Sequence, residues 1–360
     1  MVVSLYFHFP FCTRKCPYCH FYVIPNRDQT AFIDALLKEW ELKSPLLKGK
    51  EIPSIYFGGG TPTLCIPGIE EILKRVSARE ITVETNPEDV TPKLMKHLKS
   101  LGVNRVSIGV QSLSNPLLKV LGRTHTAQKA VDAVNITKAA GIDNITIDLM
   151  YELPYQTLDT WKETVVAAAK LPVTHLSLYN LTFEPHTVFK KKEESLKKHL
   201  PDEETGAKML EFACHHFEEN GLKRYEISAF ARDGKISIHN CGYWTGREFL
   251  GLGPSAFSYM DGKRFQNVCH LNQYIKSLEN GKVPVSFEEK LPFPASLHER
   301  IAVGLRLKDG IEIQNLPLDT KALLTDLERE GWLTLQNERA VLTDQGFLFY
   351  DTVAEKIIDE

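Results

Sequence analysis

The stretch FCTRKCPYCHF, residues 11–21, sets Cys12, Cys16 and Cys19 in a C-x3-C-x2-C spacing directly after the apolar run SLYFHFP. Thiols crowded onto a loop that also carries Thr13, Arg14, Lys15 and Pro17 read as metal ligands rather than as core. A structural zinc site wants a fourth ligand, for which His20, next to Cys19, or His8 is the candidate. Three thiolates can instead hold three irons of a [4Fe–4S] cubane and leave the fourth iron open. A small molecule with an amine and a carboxylate could chelate that iron, and electron transfer from the cluster could cleave it. The spacing favours the cluster and leaves zinc open. Cys65, Cys214, Cys241 and Cys269 are scattered, and seven cysteines is an odd number, so no disulfide framework is expected.

A second feature is YFGGGTP, residues 56–62. Three glycines at a strand end allow close backbone approach and are expected to present N–H groups to an anionic or carboxylate group. Alone such a run is a tight turn, and it lacks the Lys and spacing of a phosphate-binding loop. Beside the cysteine loop it becomes specific.

These residues need a frame. Short β-rich runs recur at Leu5–Phe9, Ser54–Phe57, Ile81–Thr85, Arg105–Val110, Asn144–Leu149, His175–Leu181 and Arg224–Phe230. Between them, 28–43, 91–101, 126–140, 158–171 and 202–220 show helical apolar spacing, several opened by Asp or Thr and closed near Gly. This βα rhythm predicts an α/β fold with a parallel sheet, either a barrel or an open doubly wound sheet. The cysteine loop follows the first strand and GGGTP the second, while Glu84, Gln111 and Asp148 end the third, fourth and fifth. Chemistry at successive carboxyl ends favours a partial barrel over residues 1–235. Residues 236–288, with HNCGYW and GLGPSAF, read as a less regular connecting region. Residues 289–360 read as a small winged-helix-like unit: helix, helix, hairpin, helix.

The chain has 360 residues, 43% hydrophobic and 25% charged, with a formal net charge of −3. That balance argues against a general nucleic-acid surface. No stretch approaches the roughly 20 apolar residues of a membrane span, and MVVSLYFHFP lacks a secretory signal's basic start and cleavage site, so a cytoplasmic location is expected.

Taken together, YFHFPFCTRKCPYCHF, YFGGGTP, VETNP, RVSIGVQS, LGRTH and IDLMYELP resemble radical S-adenosylmethionine (SAM) proteins. The closer similarity is to the oxygen-independent coproporphyrinogen III dehydrogenase branch, the HemN family. The resemblance implies a partial (β/α)6 TIM-like barrel, a [4Fe–4S] cluster on Cys12, Cys16 and Cys19, and SAM on the open iron. It also implies that Tyr6 and Tyr18 lie near the cluster and SAM, and that Gly59, Gly60 and Thr61 meet the methionyl amine and its surroundings. Glu84, Gln111, Arg123 and Asp148 occupy positions that bind SAM in the dehydrogenase.

The dehydrogenase loop carries an additional cysteine two residues after the third ligand, where this chain has Phe21. That departure resembles the HemW-like haem-chaperone branch, whose H-N-x-x-Y-W pattern is matched by His239–Trp244. In this reading His239 is the first candidate for an axial haem ligand and Cys241 the second, with Tyr243 and Trp244 as apolar planes. Haem, haem-accepting proteins such as respiratory-chain components, and an electron donor for the cluster are then the implied partners. Two functions stay open: a haem chaperone, favoured by Phe21 and HNCGYW, and a radical SAM coproporphyrinogen III dehydrogenase, expected to be absent. The resemblance also marks Glu152 and Tyr155, where relatives commonly have Gly, and Phe257, where His is common.

Overall fold

Along β1 (Val3–Phe9) the residues alternate. Val3, Leu5, Phe7 and Phe9 are wholly buried, with Phe7 against Trp40 and Phe9 against Phe32 of the first helix. Ser4, Tyr6 and His8 turn to the other face, the interior of the sheet's curve. The structure, a computed structural model that describes residues 1–25 and 28–359, repeats this pattern strand after strand. Ser54–Gly59 (β2), Glu80–Thr85 (β3), Arg105–Gln111 (β4), Asn144–Tyr151 (β5) and His175–Asn180 (β6) follow β1 in parallel and in chain order. Ile55, Phe57, Val83, Val106, Ile108, Ile145, Ile147 and Leu176 form the apolar face. Ser54, Tyr56, Glu84, Ser107, Asp148 and Ser177 share the inner one, an inner face far more polar than the aliphatic layers of an ordinary barrel core.

The helices Thr30–Lys43, Ile66–Leu73, Pro92–Ser100, Ala127–Ala139 and Leu158–Ala169 cross between these strands. Thr91, Thr126 and Thr157 each cap a helix through the side-chain oxygen, which satisfies an N–H that the helix cannot. Two further pairs extend the edge at β6. The expected seventh strand, Arg224–Phe230, divides into Lys223–Arg224 (β7) and Ala229–Ala231 (β8), and β8 runs antiparallel to β6. The break follows from Glu226, which leaves the ladder to bridge Leu307 and to pair with Arg306 at 3.3 Å.

Residues 236–288 are more ordered than their sequence suggests. Glu248–Leu252 (β9) pairs in parallel with β1, and Phe257–Met260 (β10), Lys263–Asn267 (β11) and Val285–Glu289 (β12) add antiparallel strands. Among the described residues β12 and β7 stand at the two edges of the twelve-stranded sheet, so the barrel is partial rather than closed. Glu152 and Tyr155 carry φ of 57° and 67°, the left-handed region that favours Gly.

The helix Ile238–Trp244 is held against the amino ends of the strands. Glu80 at the start of β3 accepts from the N–H groups of Ile238 (3.0 Å) and His239 (2.9 Å), and Ser237 accepts from Asn240 (3.3 Å). Ser54, at the start of β2, meets the His239 ring. The helix therefore plugs the end of the barrel opposite the cysteine loop.

A second core, including Ile301, Leu305, Leu324, Leu327, Leu342 and Val353, gathers the C-terminal elements. Helices Ala295–Gly304 and Leu318–Arg329 precede the hairpin Leu333–Gln336 with Arg339–Leu342, and Tyr350–Ile358 ends the unit. Ile311–Glu312 adds a third short strand to the hairpin, completing a winged-helix-like order.

Candidate metal and cofactor site

A cavity of about 440 Å³ opens at the carboxyl rim. Cys12, Cys16, Tyr18 and Cys19 reach it from the loop after β1, and Gly59, Gly60 and Thr61 from the end of β2. Glu84, Gln111, Arg123 and Asp148 complete the expected set on its wall. Sequence reasoning missed Asn86, Met150 and Tyr179–Thr182 on the same wall. The strand-end rule that found Asp148 would have found Tyr179 and Asn180 at the end of β6.

The thiols are half-buried and held from the barrel side. Cys12 Sγ lies 3.5 Å from Thr61 Oγ1, and Arg123 Nη1 donates toward Cys16 Sγ at 3.6 Å. Burial pushes the Cys12 thiol up to about 11 and moves Cys19 the same way, so metal uptake must release protons. Among the described residues no three His, Cys, Asp or Glu side chains converge as a single ion requires. A cubane needs no such convergence, because each thiolate takes its own iron. The zinc alternative also loses His8, whose Nε2 donates to the Tyr22 carbonyl (3.1 Å) while Nδ1 accepts from Tyr6 (3.2 Å). His20 is exposed and stacks on Phe21 at 4.4 Å. The donor set fits a cluster.

The glycine run works differently from its sequence expectation. The N–H of Gly59 goes to Glu84 (3.2 Å), that of Gly60 to the Phe9 carbonyl (2.8 Å) and that of Thr61 to the Phe11 carbonyl (2.7 Å). No N–H of these three is left for an anion; the run offers a ligand room, and the Glu84 and Asp148 carboxyl groups on the same wall are acceptors that suit an ammonium group. A Cβ at Gly60 would stand 2.5 Å from the Phe11 carbonyl oxygen and 2.8 Å from that of Phe9. Gly60 is thus required by the backbone that leads into Cys12. Gly60→Val is expected to lower iron content severalfold along with SAM binding. Wild-type iron and an unchanged SAM titration in that variant would show that the loop absorbs the displacement.

Glu84 and Asp148 face the cavity from the inner ladder. Burial pushes the Glu84 carboxyl up to about 7, against the bond it accepts from Tyr56 at 2.7 Å, and the neighbouring Asp148 adds to the rise. Burial raises Asp148 as well, opposed by bonds from Ser177 and Ser107. Near neutral pH Glu84 can therefore change ionisation with its ligand, and a cationic ligand would favour the carboxylate. Arg123 is bound to Asn86 and Gly109 but keeps its buried Nε without a partner, a donor that a ligand carboxylate can take. Room, acceptors and one orphan donor fit SAM.

Two of the expected residues stand outside this cavity. Tyr6 does not line this cavity; it lies deeper in the barrel, stacked on Tyr56 at 6.2 Å. His239 is 1% exposed and both ring nitrogens are engaged, with Ser54 at 3.0 Å and Tyr243 at 2.8 Å. Since the Ser54 hydroxyl already donates to Ser4, His239 Nδ1 is the donor to Ser54 and Nε2 accepts from Tyr243. No lone pair faces an iron. Cys241 also misses the cavities, whereas Tyr243 and Trp244 line a second one of about 250 Å³ with Phe249, Tyr259, Arg247 and Arg300.

A parallel partial barrel whose rim gathers a three-cysteine loop, a glycine run and buried carboxylates is the architecture of radical SAM proteins, and residues 6–168 match the Radical SAM superfamily. Residues 294–349 match the HemN C-terminal domain. A Lactococcus lactis protein named heme chaperone HemW is 35% identical, covering 99% of this chain and 97% of its own. A Bacillus subtilis protein of the same name is 32% identical, covering 99% of both. The chain belongs to this HemW-like family of radical SAM proteins, related to HemN. The solved structure of coproporphyrinogen III oxidase (HemN) from Escherichia coli superposes with a TM-score of 0.86 over 99% of this chain and 90% of that one, at 23% identity, a likeness of fold. Membership in the superfamily implies a [4Fe–4S] cluster and SAM.

Proposed function

We propose that this protein is a haem chaperone that binds haem and passes it to acceptor proteins. The observation that carries this reading is the end-to-end similarity to relatives named heme chaperone HemW. Phe21, where the dehydrogenase branch has a further cysteine, supports it. Cys12, Cys16 and Cys19 are the cluster ligands in this reading. When bound there, the cluster would supply an electron and SAM a sulfonium that such an electron could cleave. Thr61 and Arg123 orient the sulfurs, Glu84, Gln111 and Asp148 receive the amine and ribose hydroxyls, and Arg123 Nε receives the carboxylate.

For haem the reading rests on the outer side of the plug helix, where Tyr243 and Trp244 line the second cavity and Arg247 and Arg300 can meet propionates. His239 holds Tyr243 from behind, and could ligate iron only by releasing it. The working division is then a barrel of residues 1–235 for cluster and SAM, a segment 236–288 for haem, and a unit of residues 289–360 that packs beside it. An electron donor and haem acceptors such as respiratory-chain components are the proposed partners, in the cytoplasm. Among the described residues no helix is long and apolar enough to cross a membrane.

The test offers haem and coproporphyrinogen III to anaerobic, cluster-loaded protein. Haem is retained stoichiometrically, and propionates are not lost. Trp244→Ala weakens haem binding about tenfold, the loss of one aromatic plane. Efficient decarboxylation would restore the dehydrogenase reading, and unaltered haem binding in both Trp244→Ala and His239→Ala would move the haem site elsewhere.

A further inference from the structure

Asn86 stands between two of the thiols and touches neither. It follows β3 and lines the rim cavity. Its Nδ2 donates to Thr61 Oγ1 at 2.8 Å, and its Oδ1 accepts from Arg123 Nη2 at 2.6 Å. Thr61 Oγ1 lies 3.5 Å from Cys12 Sγ, and Arg123 Nη1 lies 3.6 Å from Cys16 Sγ. The Gly109 carbonyl, 2.7 Å from Arg123 Nη2, anchors the guanidinium from behind.

The polarity of the two links to Asn86 is forced. A guanidinium only donates, so Asn86 turns its oxygen to Arg123 and its amide NH2 to Thr61. A Cys12 sulfur that ligates metal has no proton to give, so Thr61, accepting from Asn86, turns its own hydroxyl proton to it. Both sulfurs are thus offered hydrogen bonds by one connected unit centred on Asn86. Such bonds stabilise the more negative, reduced state of a thiolate-ligated centre, as does a nearby positive charge.

We infer that Asn86 is a positioning residue that sets the reduction potential of the metal centre on Cys12 and Cys16, by fixing the direction of both sulfur hydrogen bonds. The inference rests on those cysteines being ligands. Asn86→Asp tests it with almost no change of shape. A carboxylate has no N–H, so it accepts from Thr61 and draws that proton away from Cys12. It also pairs with the charge of Arg123. Both changes disfavour the added electron.

The experiment is an anaerobic redox titration of reconstituted protein, followed by electron paramagnetic resonance, with iron and sulfide measured on each sample. Asn86→Asp is expected to load like the wild type while its reduced-to-oxidised ratio at fixed potential falls about tenfold, ~59 mV for one electron. Asn86→Ala, which cuts both links without adding charge, shifts the ratio in the same direction by less, and stands as the test should the Asp variant fail to load. Full iron content with an unshifted potential in a loading variant overturns the inference. A cluster that persists when Cys12, Cys16 and Cys19 are all replaced would instead overturn the ligand reading beneath it.

Discussion

Protein carrying alanine at Cys12, Cys16 and Cys19 together contains no iron after anaerobic preparation, and its visible absorption falls to baseline. The expectation follows from where the other thiols lie. Cys65 is buried behind the glycine run, and Cys214, Cys241 and Cys269 do not line the rim cavity. No replacement thiol can approach without rebuilding the barrel. The loop should survive the change, because its backbone is held by the Phe9 and Phe11 carbonyls and not by the sulfurs. Far-ultraviolet circular dichroism is therefore expected to match the wild type. Iron retained at wild-type level, with the visible bands intact, would mean that the cluster sits on other residues.

The largest effect on stability is expected at Glu39. Its carboxylate is wholly buried and accepts from Lys43 (2.6 Å), Asn267 (2.7 Å), the Gly253 N–H (2.7 Å) and the Tyr274 hydroxyl (2.6 Å). These partners tie the first helix to the segment that follows β9, the strand lying beside β1. Glu39→Ala leaves the Lys43 ammonium buried at 2% exposure without its counter-ion. The cost is about 3–5 kcal/mol, as for other buried pairs broken on one side. Replacing Glu39 and Lys43 together by Met is expected to cost less than the single change, since no charge is then stranded. Urea unfolding under anaerobic conditions reads both. A Glu39→Ala cost under about 1 kcal/mol, the range of exposed pairs, would show that water reaches the site.

What the sequence determined by itself was whatever depends on covalent spacing. Cys12, Cys16 and Cys19 are close because few residues separate them, and the alternation of Ser4, Tyr6 and His8 with Leu5, Phe7 and Phe9 marks a strand with two unlike faces. The carboxyl-end placement of Glu84, Gln111 and Asp148 followed from the same periodicity, and with it one shared cavity wall. Tertiary structure decided what each group is paired with. GGGTP reads as a row of free N–H donors, yet Glu84 takes the N–H of Gly59 and the chain leaving β1 takes those of Gly60 and Thr61. HNCGYW reads as a ligand motif, yet Glu80 and Ser54 draw it to the amino end and bury His239. Arg224–Phe230 reads as one strand, yet Glu226 breaks it to meet Arg306. Asn86 looks like an ordinary turn residue until Thr61 and Arg123, from two other loops, close on its two amide atoms. In each case the deciding partner lies far along the chain, and a hydrogen bond's direction follows from which groups the packed barrel leaves within reach of one another.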